Sequence, residues 1–184
     1  GIKRRQRGKN NSFCQEKPNK WYKGGLGTES QKFLKFVQKL LEFRKTQPVL
    51  QRRKFFTGIR LSVTQSKDLT WYSRFGNEMS GADWNDSEAL CIGVCFGGDA
   101  IDELDSQGRE IKGDTLLVLF NAHAHNVDFQ LPAHKPECKW LLVMDTIDGE
   151  FRDIPVVYRA GNYYQMSSRS VCLFKLDNPE KYQK

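Results

Sequence analysis

The hydrophobic period of this chain changes once, and that change limits what it can fold into. Over residues 29–47, Phe33, Phe36, Val37, Leu40 and Leu41 recur at three- and four-residue spacing, the pattern of an amphipathic helix. Leu34 and Phe43 widen the stripe beyond a coiled-coil seam. From about residue 55 the apolar residues gather instead in short runs, over 90–96, 115–121, 127–131, 140–145, 156–159 and 170–176. Gly, Asp, Asn or Pro separates them. Val127, Phe129 and Leu131 alternate with Asp128 and Gln130, so that strand has one wet face. Residues 116–120 are apolar on both faces and belong in the middle of a sheet. Strand-length runs with turn residues between them and no second long helix predict an antiparallel β-sandwich. The expected fold is mainly β, with one long amphipathic helix ahead of the sandwich.

Local signals mark the ends of these elements. Thr28 with Gln31 three residues on has the form of a capping box at the helix start. Arg44 and Lys45 suit the negative end of its dipole, and Pro48 stops it. Ser80 and Asp83 can cap a single helical turn near Trp84. Residues 1–27 are polar, basic and punctuated by glycine, and they read as loop. The glycines over 24–27 precede a helix, where amides can hold phosphate, but no strand leads in and the reading is a flexible helix entry.

Charge is divided unevenly. Residues 1–60 carry 17 Lys/Arg against 3 Asp/Glu, and residues 61–184 carry 12 against 19. A basic end raises nucleic-acid binding, with Phe13, Trp21 and Tyr22 available for stacking; that reading rests on charge alone and is set aside. No apolar run approaches the ~20 residues of a membrane-spanning helix. Gly1 is not an initiator Met, so an upstream start is expected, and the basic residues after it lead into no apolar signal core. The five cysteines, Cys14, Cys91, Cys95, Cys138 and Cys172, are widely spaced and odd in number, which fits reduced thiols in a cytoplasmic protein. Cys91 and Cys95 lie in an apolar run and read as small core residues.

Little catalytic chemistry is on offer. Glycoside hydrolysis needs two carboxylates flanking the bond, and the acidic residues here, such as Asp99, Asp102, Glu103 and Asp105, lie in a segment that reads as surface turn. His123 and His125 share one side of a strand end, as a metal pair would. No third ligand stands at a telling spacing, and a turn entry is the favoured reading. No Gly-x-Ser-x-Gly elbow exists. No catalytic residue, metal or cofactor is expected. The aromatics are more informative: Trp21, Trp71, Tyr72 and Trp84 sit in polar, glycine-flanked surroundings, where they either stack on sugars and bases or fill a core. Trp140 opens an apolar strand and reads as core.

Several motifs in order resemble one family. Gly8-Lys-Asn-Asn-Ser-Phe-Cys-Gln-Glu16 followed by Trp21 resembles the loop Gly-Asn-Asn-Asn-Ala-Tyr-Cys-Gln-Asp of bacterial glycogen debranching enzymes, isoamylase-type members of the α-amylase family of glycoside hydrolases. Residues 43–56 resemble that family's last barrel helix and its exit. Asp68-Leu-Thr-Trp71, Gly76-Asn-Glu-Met79, Asp83-Trp-Asn85, Gly98-Asp-Ala-Ile-Asp-Glu103, Asn121-Ala-His123, Asp145-Thr146 and Ser168-Arg-Ser-Val171 follow in the family's order. The resemblance implies that residues 1–54 are a remnant of a (β/α)8 catalytic barrel, its last loop and final helix, and that residues 55–184 are the C-terminal β-sandwich. It implies a parent enzyme that hydrolyses α-1,6 branch linkages in glycogen or limit dextrins, with its catalytic carboxylates in a barrel absent from this chain. It also implies glucan contacts at Asn10, Asn11, Gln15 and Trp21. Lys9, Lys17 and the segment Trp21-Tyr-Lys-Gly24 depart from the family's loop. The partners expected are a branched α-glucan and the missing barrel. An alternative is a stand-alone glucan-binding sandwich using Trp71, Tyr72 and Trp84.

Overall fold

The helical stripe forms α1 (Thr28–Thr46) in the computed structural model, which describes residues 27–60, 66–134 and 137–177. The helix ends where expected, with the Gln47 N–H donating to the Arg44 carbonyl and Pro48–Leu50 adding a single 3-10 turn. Its start differs from expectation. Gly27 occupies the cap position and no side chain caps it. Thr28 is already the first helical residue, one place too far in for its hydroxyl to serve as the N-cap acceptor.

The strands follow as β1 (Leu69–Ser73), β2 (Cys91–Phe96), β3 (Leu116–Asn121), β4 (Val127–Gln130), β5 (Lys139–Asp145), β6 (Glu150–Arg159), β7 (Tyr163–Met166) and β8 (Ser170–Leu176). One turn of helix, α2 (Gly81–Trp84), lies between β1 and β2. Six strands make one sheet in the order β1-β2-β3-β8-β5-β6, with every neighbouring pair antiparallel. β4 and β7 pair as a second, two-stranded sheet. β3 lies between β2 and β8, the central place its apolar composition calls for. β1 and β7 were not among the expected runs. Leu-Thr-Trp-Tyr-Ser and Tyr-Tyr-Gln-Met are too polar and too short to stand out from their surroundings.

The two sheets face each other across the main core. Val127, Phe129 and Leu131 point inward and Asp128 outward, as the alternation requires. Phe129, Tyr164 and Met166 of the small sheet meet Cys95, Leu117, Leu119 and Phe174 of the large one. Gly93 leaves room for the facing sheet: a Cβ there would lie 2.8 Å from the Phe129 ring. Trp140 is fully buried, and its indole N–H donates to the Pro132 carbonyl at 2.9 Å. The Tyr164 hydroxyl donates to buried Asp145 at 2.7 Å and so ties β7 to β5. Cys91, Cys95, Cys138 and Cys172 are free, buried thiols. Burial pushes the Cys91 thiol up to about 11 and the Cys95 thiol to about 12, so both stay protonated and inert as core residues.

The outer face of the large sheet carries a second cluster of Val49, Ile101, Leu116, Met144 and Leu173. α1 lies over it, and Phe36 and Phe43 rest on Phe151 of β6 with ring centroids 6.0 and 5.7 Å away. The segment from Gly98 to Glu103 is more than a surface turn. Ala100 and Ile101 are buried, and the buried Glu103 carboxylate accepts the backbone N–H groups of Arg53 and Lys54 at 2.8 and 3.1 Å. The chain leaving α1 is thereby fastened to the sandwich.

Candidate functional site

The site is built on β1, an edge strand of the large sheet. Side chains alternate along a strand, and the alternation separates neighbouring aromatics here. Tyr72 packs against the main core, where burial pushes its phenol up. Trp71 faces the other way, into an open cleft of about 290 Å³ that Thr70, Trp84 and Glu78 also line. Of the three aromatics grouped by sequence, the structure brings Trp71 and Trp84 together and assigns Tyr72 to packing.

Each wall of the cleft has a local cause. After β1 the chain reverses through a tight turn, with the Ser73 N–H donating to the Asn77 carbonyl and the Met79 N–H to the Trp71 carbonyl. That hairpin sets Glu78 and Met79 beside Trp71. The Glu78 carboxylate is held by the Lys67 ammonium in an ion pair. α2 follows at once, and its capping box is complete. Ser80 Oγ accepts from the Asp83 N–H, and the Asp83 carboxylate accepts from the Ser80 N–H at 2.7 Å. This places Trp84 at the end of the turn, with its ring edge-on to Trp71, centroids 5.5 Å apart and planes at 76°. Trp84 remains 53% exposed.

The opposite wall is Phe56, Thr57 and Gly58, and a buried carboxylate holds it. Asp68 accepts the backbone N–H groups of Thr57 and Gly58 at 2.9 and 2.8 Å and pairs with the Arg52 guanidinium at 2.9 Å. Burial alone would raise its carboxyl. The Thr57 and Gly58 amides together with Arg52 outweigh that and hold it below the ordinary 3.8. Arg52 lies over the Phe56 ring, 4.5 Å from its centroid, and Phe96 braces the same ring at 5.4 Å. Gly58 has φ +68°, a backbone that favours glycine. Asp68, Phe56 and Glu78 stood in the motifs read from sequence, but nothing there linked them to a single cleft.

Elsewhere the chemistry is structural. The His123 and His125 rings are 4.8 Å apart on the turn after β3. Asn121 organises that turn, accepting the His123 N–H and donating to the carbonyls of His125 and Ser167. Among the described residues no group of three or more His, Cys, Asp or Glu could hold a metal ion. No helix among them is long and apolar enough to cross a membrane. Asn10, Asn11, Gln15 and Trp21 lie outside the described residues.

Comparison with known proteins agrees with this architecture. Residues 68–175, from the clamp carboxylate to the last strand, match the family described as isoamylase, C-terminal. Over 175 residues, 95% of its length, the chain is 31% identical to the glycogen operon protein GlgX homolog of Mycobacterium tuberculosis (strain CDC 1551 / Oshkosh). The homolog of Mycobacterium bovis matches equally. Over 139 residues, 76% of its length, it is 26% identical to the isoamylase of Pseudomonas amyloderamosa. The chain spans 24% of the mycobacterial relatives and 16% of the isoamylase. The two-sheet sandwich, the ordered motifs and the match across it mean that this chain belongs to the isoamylase C-terminal domain family.

Proposed function

We infer that this chain is the C-terminal part of a glycogen-debranching glycoside hydrolase, one that cleaves α-1,6 branch linkages in glycogen or limit dextrins. Residues 55–184 are its sandwich domain, and residues 1–54 are the last loop and final helix of its catalytic barrel. The chain alone is non-catalytic and serves to brace that barrel. The observation that carries the reading is the outer side of α1. The apolar stripe runs halfway round the helix. One edge, Phe36 and Phe43, rests on the sandwich. On the other side Phe33, Leu34 and Leu41 are exposed, Phe33 by 67%. Burying such a side chain is worth ~1.5–3 kcal/mol, and an apolar face of this kind marks a surface built to be covered. The rest of the barrel covers it in the whole enzyme. A matched share of about a quarter of the mycobacterial relatives leaves length for a barrel in proteins of this kind. Asn10, Asn11, Gln15 and Trp21 contact the glucan at the cleft, as the likeness of loop 8–16 suggests. A cytoplasmic setting, beside glycogen and with reduced thiols, fits the four buried free cysteines.

Two measurements test this together. The purified chain is expected to release no reducing ends from amylopectin or pullulan. A chimera in which it replaces the matched quarter of the Mycobacterium tuberculosis relative is expected to debranch amylopectin. Debranching by the chain alone, or a soluble but inactive chimera, overturns the proposal.

A further inference from the structure

We propose that the cleft between Trp71 and Trp84 is a binding site for α-1,4-linked glucan chains on the sandwich domain itself. The stacking platform rests on geometry alone; the choice of α-glucan among sugars rests on the family reading above.

A sugar ring presents C–H groups on its faces and hydroxyls around its rim. An exposed indole matches the faces, and carboxylate and hydroxyl oxygens match the rim. The cleft supplies an indole face and a rim carboxylate, with Trp84 half open to solvent and Glu78 beside it. Exposure alone would mean little, because scattered apolar residues are normal on a surface. Trp84, however, is held in place. The Ser80–Asp83 capping box fixes the turn that carries it, and the Trp71 edge contact fixes its ring. An aromatic positioned in advance loses little freedom when a ligand stacks on it. Glu78 is likewise fixed by Lys67, and Phe56 by Arg52, so both rims are ordered before any ligand arrives.

Size narrows the ligand. About 290 Å³ lies just under the ~300–1,000 Å³ range of ligand pockets. That accommodates one or two glucosyl rings, with the chain continuing out of the open sides, and implies weak binding. A nucleobase also stacks on indole. Charge does not choose between the two, because Glu78 is paired with Lys67 and the opposite wall stands beside Arg52; the choice of a glucan over a nucleic acid rests on the family reading.

The test titrates the full 184-residue chain with maltoheptaose and follows tryptophan fluorescence and the indole N–H resonances. A saturable response with a midpoint of about 1 mM is expected. Trp84→Ala is expected to weaken it about tenfold or more while the chain still unfolds in one cooperative transition, and Trp84→Phe to recover part of the loss. A flat response at about 10 mM ligand, or binding that survives Trp84→Ala, overturns the site. An equal response to cellohexaose overturns the α-glucan assignment. The chimera assay reads the family reading separately. An active chimera with a flat titration removes only this site, and an inactive chimera with a saturable titration removes only the barrel-bracing reading.

Discussion

Asp68 shows how one residue can hold both the segment after α1 and a cleft wall. Its carboxylate gathers Arg52, Thr57 and Gly58 from the segment that joins α1 to the sandwich. The Arg52 side chain is only 4% exposed, so removing its counter-charge leaves a buried cation uncompensated. Asp68→Asn is therefore expected to lower stability by about 3 kcal/mol at neutral pH, measured by urea unfolding. The pH dependence has a definite sign. The folded carboxyl titrates below its unfolded value, so its contribution is present above about pH 4 and fades as pH falls through the lower folded value. Wild type should lose this contribution on acidification below pH ~4. The Asn variant should show a shallower acid limb, and an identical limb would contradict the assignment. Asp68 was legible in sequence as part of a motif. Its role was not, because its partners lie 10 to 16 positions away on a segment with no regular period.

At the scale of elements, α1 is lightly anchored to the rest of the described fold. None of its residues is fully buried, and most helical stability in proteins comes from the tertiary packing of an amphipathic face. Its hold on the sandwich passes through Phe36 and Phe43 against Phe151. Two aromatic pairs contribute about 1–3 kcal/mol together. Phe151→Ala is expected to speed amide exchange across residues 28–46 while the β2, β3 and β8 amides keep their protection. Loss of protection in both regions would mean that helix and sandwich unfold as one unit. Most of these elements could be read in advance, because periodicity is a local property. β2, β3, β5 and β8 were each anticipated to within about a residue at either end, as long apolar runs allow. β1 and β7 were not, because their burial comes from neighbours supplied by distant strands rather than from their own composition. The cap at Thr28 was misread because the motif does not show which residue begins the helix.

At the scale of the whole molecule, the described residues stack in three layers: the small sheet, the large sheet, and α1 with the segment after it. The side of α1 that carries Leu34 and Leu41 faces away from that stack. Leu34→Glu with Leu41→Glu should leave thermal stability of the isolated chain nearly unchanged, within about 0.5 kcal/mol per site, since both side chains are exposed. The same pair should reduce self-association of the chain in sedimentation and, under the proposed barrel contact, abolish activity of the chimera. Undiminished chimera activity would show that the barrel does not cover it.

The sequence by itself determined the helix, the antiparallel sandwich, the burial of Cys91, Cys95 and Trp140, and the family likeness. All of these rest on local period, on composition or on ordered motifs. Only the tertiary structure decided which aromatics become a surface. Trp71 and Tyr72 are adjacent and chemically similar, yet one lines an open cleft and the other packs in the core. The pairing of β1 with β2 fixes which face of the strand meets the small sheet, and a shift of one residue would exchange the two. Trp84 joins Trp71 only because a hairpin and a capped turn fold back on the same edge. Such sorting depends on register and chain reversal, which no single stretch of sequence encodes.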